Sequence, residues 1–220
     1  MKPAASSSGK IPSVYKDTLD ESEFRRGLEE NRDHVCSSPV NFRSFLQNSM
    51  HTEAEHEPLP PDTSTDVKDS ERLLGEIAFQ LDRRILRHIF QGQRRHYGFN
   101  LLNIPQKIIE VSTHPLTGKV DEGYQCYLSQ RYHDLMEELT HLRYKPTLHP
   151  TFSEFIINTY GILKQRPNAV STEMMDYNHP DFLKKVIETT AQSKLKKDIL
   201  VLLDCLCYMA QKDRNPLLLY

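Results

Sequence analysis

Glycine is scarce in this chain, with eight residues in 220. Phosphate-cradling loops and nucleophile elbows are built on clustered glycines, and neither pattern occurs. The stretch THPLTGK offers one glycine before a lysine and nothing further. Long apolar runs are missing as well: no stretch approaches the roughly 18 to 20 apolar residues of a membrane span. The opening MKPAASSSGK lacks the apolar segment of a secretion signal. Cysteine is limited to Cys36, Cys126, Cys205 and Cys207, too unevenly placed for a small disulfide-stapled domain. Clean period-two alternation, the mark of a half-buried strand, is absent over any useful length. Together these absences predict a soluble, unsecreted, all-α chain with reduced thiols and no membrane contact.

Charge divides what is present. Residues 1–70 hold 8 Lys or Arg against 13 Asp or Glu, whereas residues 71–220 hold 20 against 17. The first part reads as a largely disordered acidic arm punctuated by Ser and Pro. Within it, DTLDESEFRRGLEENRDH (17–34) has acids first and arginines later, which suits a helix dipole, but so few apolar points that the helix is marginal alone. SSPVNFRSFLQ (37–47) carries enough apolar residues to dock on something, and HTEAEHEPLPPDTSTD (51–66) reads as a linker. Residues 71–220 are long enough to bury a core without metal or disulfide.

That body reads as a compact bundle of five to six helices. The first runs from Asp69 or Ser70 to about Phe90 and stops at Gly92. Asn103 with Gln106 opens a short helix through IIEVS, and another spans about Glu122 to Tyr144. Thr151 with Glu154 opens a third as a capping box. Pro180 starts the next, and the last covers about Lys194 to Lys212. On this last helix Leu195, Ile199, Leu202, Leu203, Leu206 and Met209 share one side, which makes it the central core helix.

The segment FQLDRRILRHIFQGQRRHYGF (79–99) raises the functional question. On a helical wheel Leu74, Ile77, Ala78, Leu81, Ile85 and Ile89 fall together, and Glu76, Arg83, Arg84 and Arg87 form a narrow wet strip. Asp82 falls inside the apolar arc and needs a partner there, an arginine or a helix N-terminus. The arginines therefore border a hydrophobic bundle and do not line a reactive cleft. Arg83, Arg87, Arg94, Arg95, Tyr97 and Phe99 are the candidate contact residues for protein partners. The alternative is nucleic-acid binding through the arginine-rich segment 83–96, with Tyr97 and Phe99 as stacking rings. A balance of +3 over the body is weak for neutralising many phosphates.

Other constellations have plainer readings. Cys205 and Cys207 point about 200° apart on a helix, so they cannot share an ion and are small buried hydrophobes. His133, Glu137 and His141 share a face with Gln130 and Asp134, a solvated face rather than a zinc site. No residue carries a catalytic pattern, and no cofactor is implied. Arg25 and Leu28, in RRGLEEN, match the loose Arg-x-x-Leu form of a destruction box, and RSFLQN from Arg43 repeats it; chance supplies such matches in most chains of this size.

One resemblance is far more specific. ERLLGEIAFQLDRRILRHIF, then YGFNLLNIPQKI, TGKVDE, FIINTYGILKQRP and LVLLDCLCYMAQKDRNPLLLY resemble, in order over 71–220, the C-terminal domain of the speriolin and speriolin-like family. The resemblance implies a non-enzymatic protein of male germ cells, cytoplasmic and associated with the cytoskeleton, centrosome or sperm neck. Its partners would be centrosomal, cytoskeletal or cell-cycle proteins. It brings no catalytic residues. The departure lies upstream, where speriolin has a long region with a leucine-zipper-like segment and this arm has no heptads.

Overall fold

The computed structural model describes residues 19–32, 63–92, 96–164 and 177–219. Seven α-helices occur among them: α1 (Glu21–Arg32), α2 (Thr63–Ile89), α3 (Ile104–Ser112), α4 (Glu122–His141), α5 (His149–Tyr160), α6 (Pro180–Thr190) and α7 (Lys196–Asp213). A 3-10 turn, Leu101–Asn103, leads into α3. The fold is all-α. Among the described residues the sole ladder pairing is one isolated bridge, Thr113 with Val120.

The hub is α2. It packs against α4, α5, α6 and α7, and its Leu74, Ile77, Ala78, Leu81, Ile85 and Ile89 are fully buried. The apolar arc read from the wheel is thus the real one. The wet strip is not: Glu76 and Arg84 are buried while Arg83 and Arg87 are exposed. A helix surrounded on several sides has no continuous wet edge, so part of its polar stripe must find partners indoors. The helix also begins at Thr63, ahead of the expected Asp69 or Ser70, directly after Pro60 and Pro61. Gly92, at φ +95°, ends this segment in a backbone conformation that suits glycine.

Alpha-7 carries the predicted apolar side, with Ile199, Leu202, Leu203, Leu206 and Met209 buried, but it flanks the hub and is not itself the centre. Cys205 is buried and Cys207 half-buried, and burial pushes their thiols up to about 12 and about 11. Both behave as hydrophobes. Cys36 lies outside the described residues.

Two helix starts differ from expectation. The capping box is formed by Asn100 and Asn103, whose side chains accept from each other's backbone N–H groups at 2.9 and 3.0 Å, and not by Asn103 with Gln106. Thr151 lies inside α5, which begins at His149 with Pro150 in its first turn. There the N-cap is Leu148, without a side-chain cap, and the His149 ring ties down the preceding turn: its Nδ1 accepts from the Lys145 N–H at 2.7 Å.

Alpha-1, read as marginal alone, is not alone. Phe24 is buried edge-on against Phe152 and Phe155, with centroids 5.9 and 5.6 Å away. The Leu19 N–H donates to Asp198 Oδ2 (3.2 Å) and Arg25 Nη2 to the Thr147 carbonyl (2.7 Å). Packing supplies what local propensity lacks. The segment 37–47 and most of the linker 51–66 lie outside the described residues.

Candidate functional site

Three polar side chains spaced four apart on α2 cross the interior and hold the end of the chain. Glu76 accepts from Gln80 Nε2 (2.7 Å) and from the Leu163 N–H (3.1 Å). Gln80 both donates to the Leu219 carbonyl and accepts from the Leu219 N–H, each at 3.0 Å. Arg84, among the largest fully buried side chains, pairs with Asp213 and donates to the Pro216 and Leu217 carbonyls. Asn178 Oδ1 accepts from the Leu218 N–H at 2.9 Å. The tail 216–219 is thereby read as backbone, in the manner of a bound peptide, while Leu217 and Leu218 join the core. A purely apolar core helix would leave those carbonyls without donors.

A second internal pair joins α5 to α7. Because His149 Nδ1 accepts from Lys145, its proton sits on Nε2, which donates to Asp198 Oδ1 at 3.2 Å. The other oxygen of Asp198 accepts from Leu19, and both side chains are fully buried. All of these groups are structural, and sequence reasoning singled out neither His149 nor Asp198. The signal available was an acid in the first turn of a helix that continues as the apolar run Ile199–Leu203.

The candidate site lies beside this network on α2, toward the C-terminal end of the helix. A cavity of about 670 Å³ opens there. Phe79, Leu86, Phe90 and Phe99 supply its apolar walls, and His96 lines one side. Phe99 stands edge-on to Phe90 at 4.8 Å and to His96 at 5.5 Å, so the three rings form one cluster. Lys107 Nζ lies 5.3 Å from the Phe99 centroid. Arg83 and Arg87, one turn apart on α2, stand at the mouth. Arg83 is steadied by the Phe79 ring, 5.5 Å away, and by the Leu219 carbonyl at 3.1 Å. Arg87 has no carboxylate or carbonyl partner among the described residues.

Asp82 also lines this cavity. Its partner is the Ser153 hydroxyl, which donates to Oδ1 at 2.7 Å, and not the arginine or helix N-terminus that the sequence suggested. Burial pushes the Asp82 carboxyl up to about 7; the Ser153 bond works against that rise and the charge of Glu154 adds to it. Nearby Tyr144 is buried, with its phenol raised well above the usual value by burial and by Asp82. His96 Nε2 is buried with no hydrogen-bond partner among the described residues.

The arginines were expected to border the bundle and not to line a reactive cleft. Arg83 and Arg87 do share one concavity with Asp82 and His96. Proximity stops short of a catalytic couple. The bond of Asp82 goes to Ser153 and His96 is unpartnered, so acid and imidazole are not joined. Of the other predicted contact residues, Tyr97 is 78% exposed and Phe99 half-buried, while Arg94 and Arg95 lie outside the described residues. His133, Glu137 and His141 are exposed on α4. No cluster that could hold a metal occurs among the described residues.

A helical domain organised on one buried central helix, with an arginine-mouthed aromatic cavity at its flank, is the class that this fold and site define. The chain belongs to the speriolin family: the family model described as the speriolin C-terminus matches residues 73–220. Mouse speriolin is 45% identical over 163 residues, covering 73% of this chain and 34% of that protein. Human speriolin is 44% identical over 150 residues, covering 68% of this chain and 25% of that protein. The chain thus spans about a third or less of the curated relatives that it matches. No solved structure matches it.

Proposed function

We propose that this chain is a non-enzymatic interaction scaffold of male germ cells, cytoplasmic and associated with the centrosome or the sperm-neck cytoskeleton. The observation that carries the scaffold reading is the cavity on α2, whose walls are aromatic and whose mouth is arginine. Aromatic and arginine side chains in a desolvated concavity are the groups that dominate protein interfaces. Membership of the speriolin family supports the setting. Proximity labelling in testis with the full chain tests it: enrichment of centrosomal and cytoskeletal neighbours is expected, and a chiefly nuclear or membrane set overturns it.

Nucleic-acid binding keeps one favourable observation, the exposed ring of Tyr97 close in sequence to cationic side chains. It predicts retardation of single-stranded DNA or RNA that collapses as salt rises. No retardation at low salt ends that reading.

A further inference from the structure

We propose that the cavity between the C-terminal part of α2 and the 96–100 segment is a docking site for an acidic peptide that inserts one apolar side chain. The proposal deepens the scaffold reading and depends on it. Three features define the occupant. The volume, about 670 Å³, lies in the range of pockets that enclose a small ligand or a side chain with its flanks. The walls, Phe79, Leu86, Phe90 and Phe99, reward an aromatic or branched aliphatic group, and Gln91, His96 and Asn100 add polar edges beside them.

The charge at the mouth is of one sign. Arg83 and Arg87 project side by side from successive turns, and Arg87 is unpaired among the described residues. The one acid in the cavity, Asp82, is turned to Ser153 and largely loses its negative charge as pH falls below about 7. A carboxylate of an incoming peptide therefore meets two guanidiniums against one acid that is already engaged by Ser153. A strand of nucleic acid would want many cations along a track, and these two stand at a single opening.

The choice of Arg87 as the probe follows from its freedom. Arg83 also holds the Leu219 carbonyl, so its replacement would disturb the tail. Arg87 is exposed and holds no carbonyl or carboxylate among the described residues, so equal stability is expected of its variants.

A library of short random peptides displayed on phage is panned against the immobilised full chain, and the enriched peptides are made with a fluorescent label. Anisotropy titrations then compare wild type, Arg87→Glu and Arg87→Lys, with circular dichroism melts to confirm equal stability. The expected result is enrichment of Phe, Tyr, Leu or Met flanked by Asp or Glu. Affinity should fall about tenfold or more in Arg87→Glu and stay within a few-fold in Arg87→Lys.

Enrichment of basic or neutral peptides overturns the proposal, as does binding that Arg87→Glu leaves unchanged, or no enrichment at all. A labelled oligo-dT probe that binds wild type better than the selected peptides, and depends on Arg87, assigns the site to nucleic acid instead. Dimerisation of the full chain that Arg87→Glu abolishes assigns it to a second copy. If no acidic peptide emerges while proximity labelling still returns cytoskeletal proteins, the docking site fails and the scaffold reading stands. If the labelling fails too, both fall.

Discussion

Asp82 is held at an unusual protonation level by its surroundings, and the consequence has a definite sign. Its folded pKa, about 7, lies above the ordinary carboxylate value, so the folded state holds more protons than the unfolded state between about pH 4 and 7. Stability therefore falls as pH rises through that window. Asp82→Asn keeps an acceptor for Ser153 and removes the titration, so its melting temperature should be flatter from pH 4 to 7 and exceed wild type above pH 7. Thermal melts across that range check it. A wild-type curve that rises with pH over the window contradicts the assignment.

Arg84 offers a second residue-scale test. Arg84→Met should cost about 3 kcal/mol in urea unfolding, since Asp213 and two tail carbonyls lose their donor. Deleting 216–220 should make the same substitution much cheaper, because the two changes remove parts of one network. At this scale the sequence is a poor guide. Glu76, Gln80 and Arg84 carry the same letters whether they face water or a folded-back tail, and nothing local says which. Arg25 and Leu28 illustrate the same point. Arg25 pairs with Glu21 at 3.1 Å and Leu28 packs on the core, so a reader of that short motif must first pull α1 away.

Among the elements, α2 and α5 approach so closely that a Cβ on Gly75 would sit 1.8 Å from the Gly161 carbonyl oxygen. That contact involves backbone on one side, which cannot swing away as a flexible side chain can. Gly75→Ala should destabilise by about 2 kcal/mol or more despite the better helix propensity of alanine, as measured by urea unfolding. A neutral result would mean that the two helices part without cost. The helix α1 makes the converse prediction. Phe24→Ala should release α1 while the body stays folded, and hydrogen exchange should then show rapid exchange at 21–32 with protection retained in α2 and α7.

Helix positions were largely legible, since proline, glycine and apolar spacing mark ends and faces within one element. Helix starts were less so. A threonine or asparagine ahead of a glutamate or glutamine resembles a capping box, yet the asparagine pair caps the 3-10 turn ahead of α3, and neither α3 nor α5 has a side-chain cap. Each of these depends on how the preceding turn folds, which spacing alone does not fix.

For the molecule as a whole, the all-α class and the division of charge could be read directly, because both depend on composition and periodicity summed over many residues. The cavity could not. It arises where residues 96–100 lie against α2, a contact between two stretches that look like the end of one helix and a loop. Its rings, Phe90, His96 and Phe99, were visible as letters but not as one cluster. The burial of the tail was likewise invisible, and it has a whole-molecule consequence in time.

Arg84 is synthesised long before the groups that satisfy it: 129 residues separate it from Asp213 and 132 from Pro216. At ordinary translation speeds, about 5 to 20 residues per second, that delay is roughly 6 to 26 s. During it α2 can already pack its apolar arc against α4, α5 and α6, which precede α7, while its guanidinium waits without acceptors. Polar anchoring of the hub is thus postponed until residues 213–217 have been made.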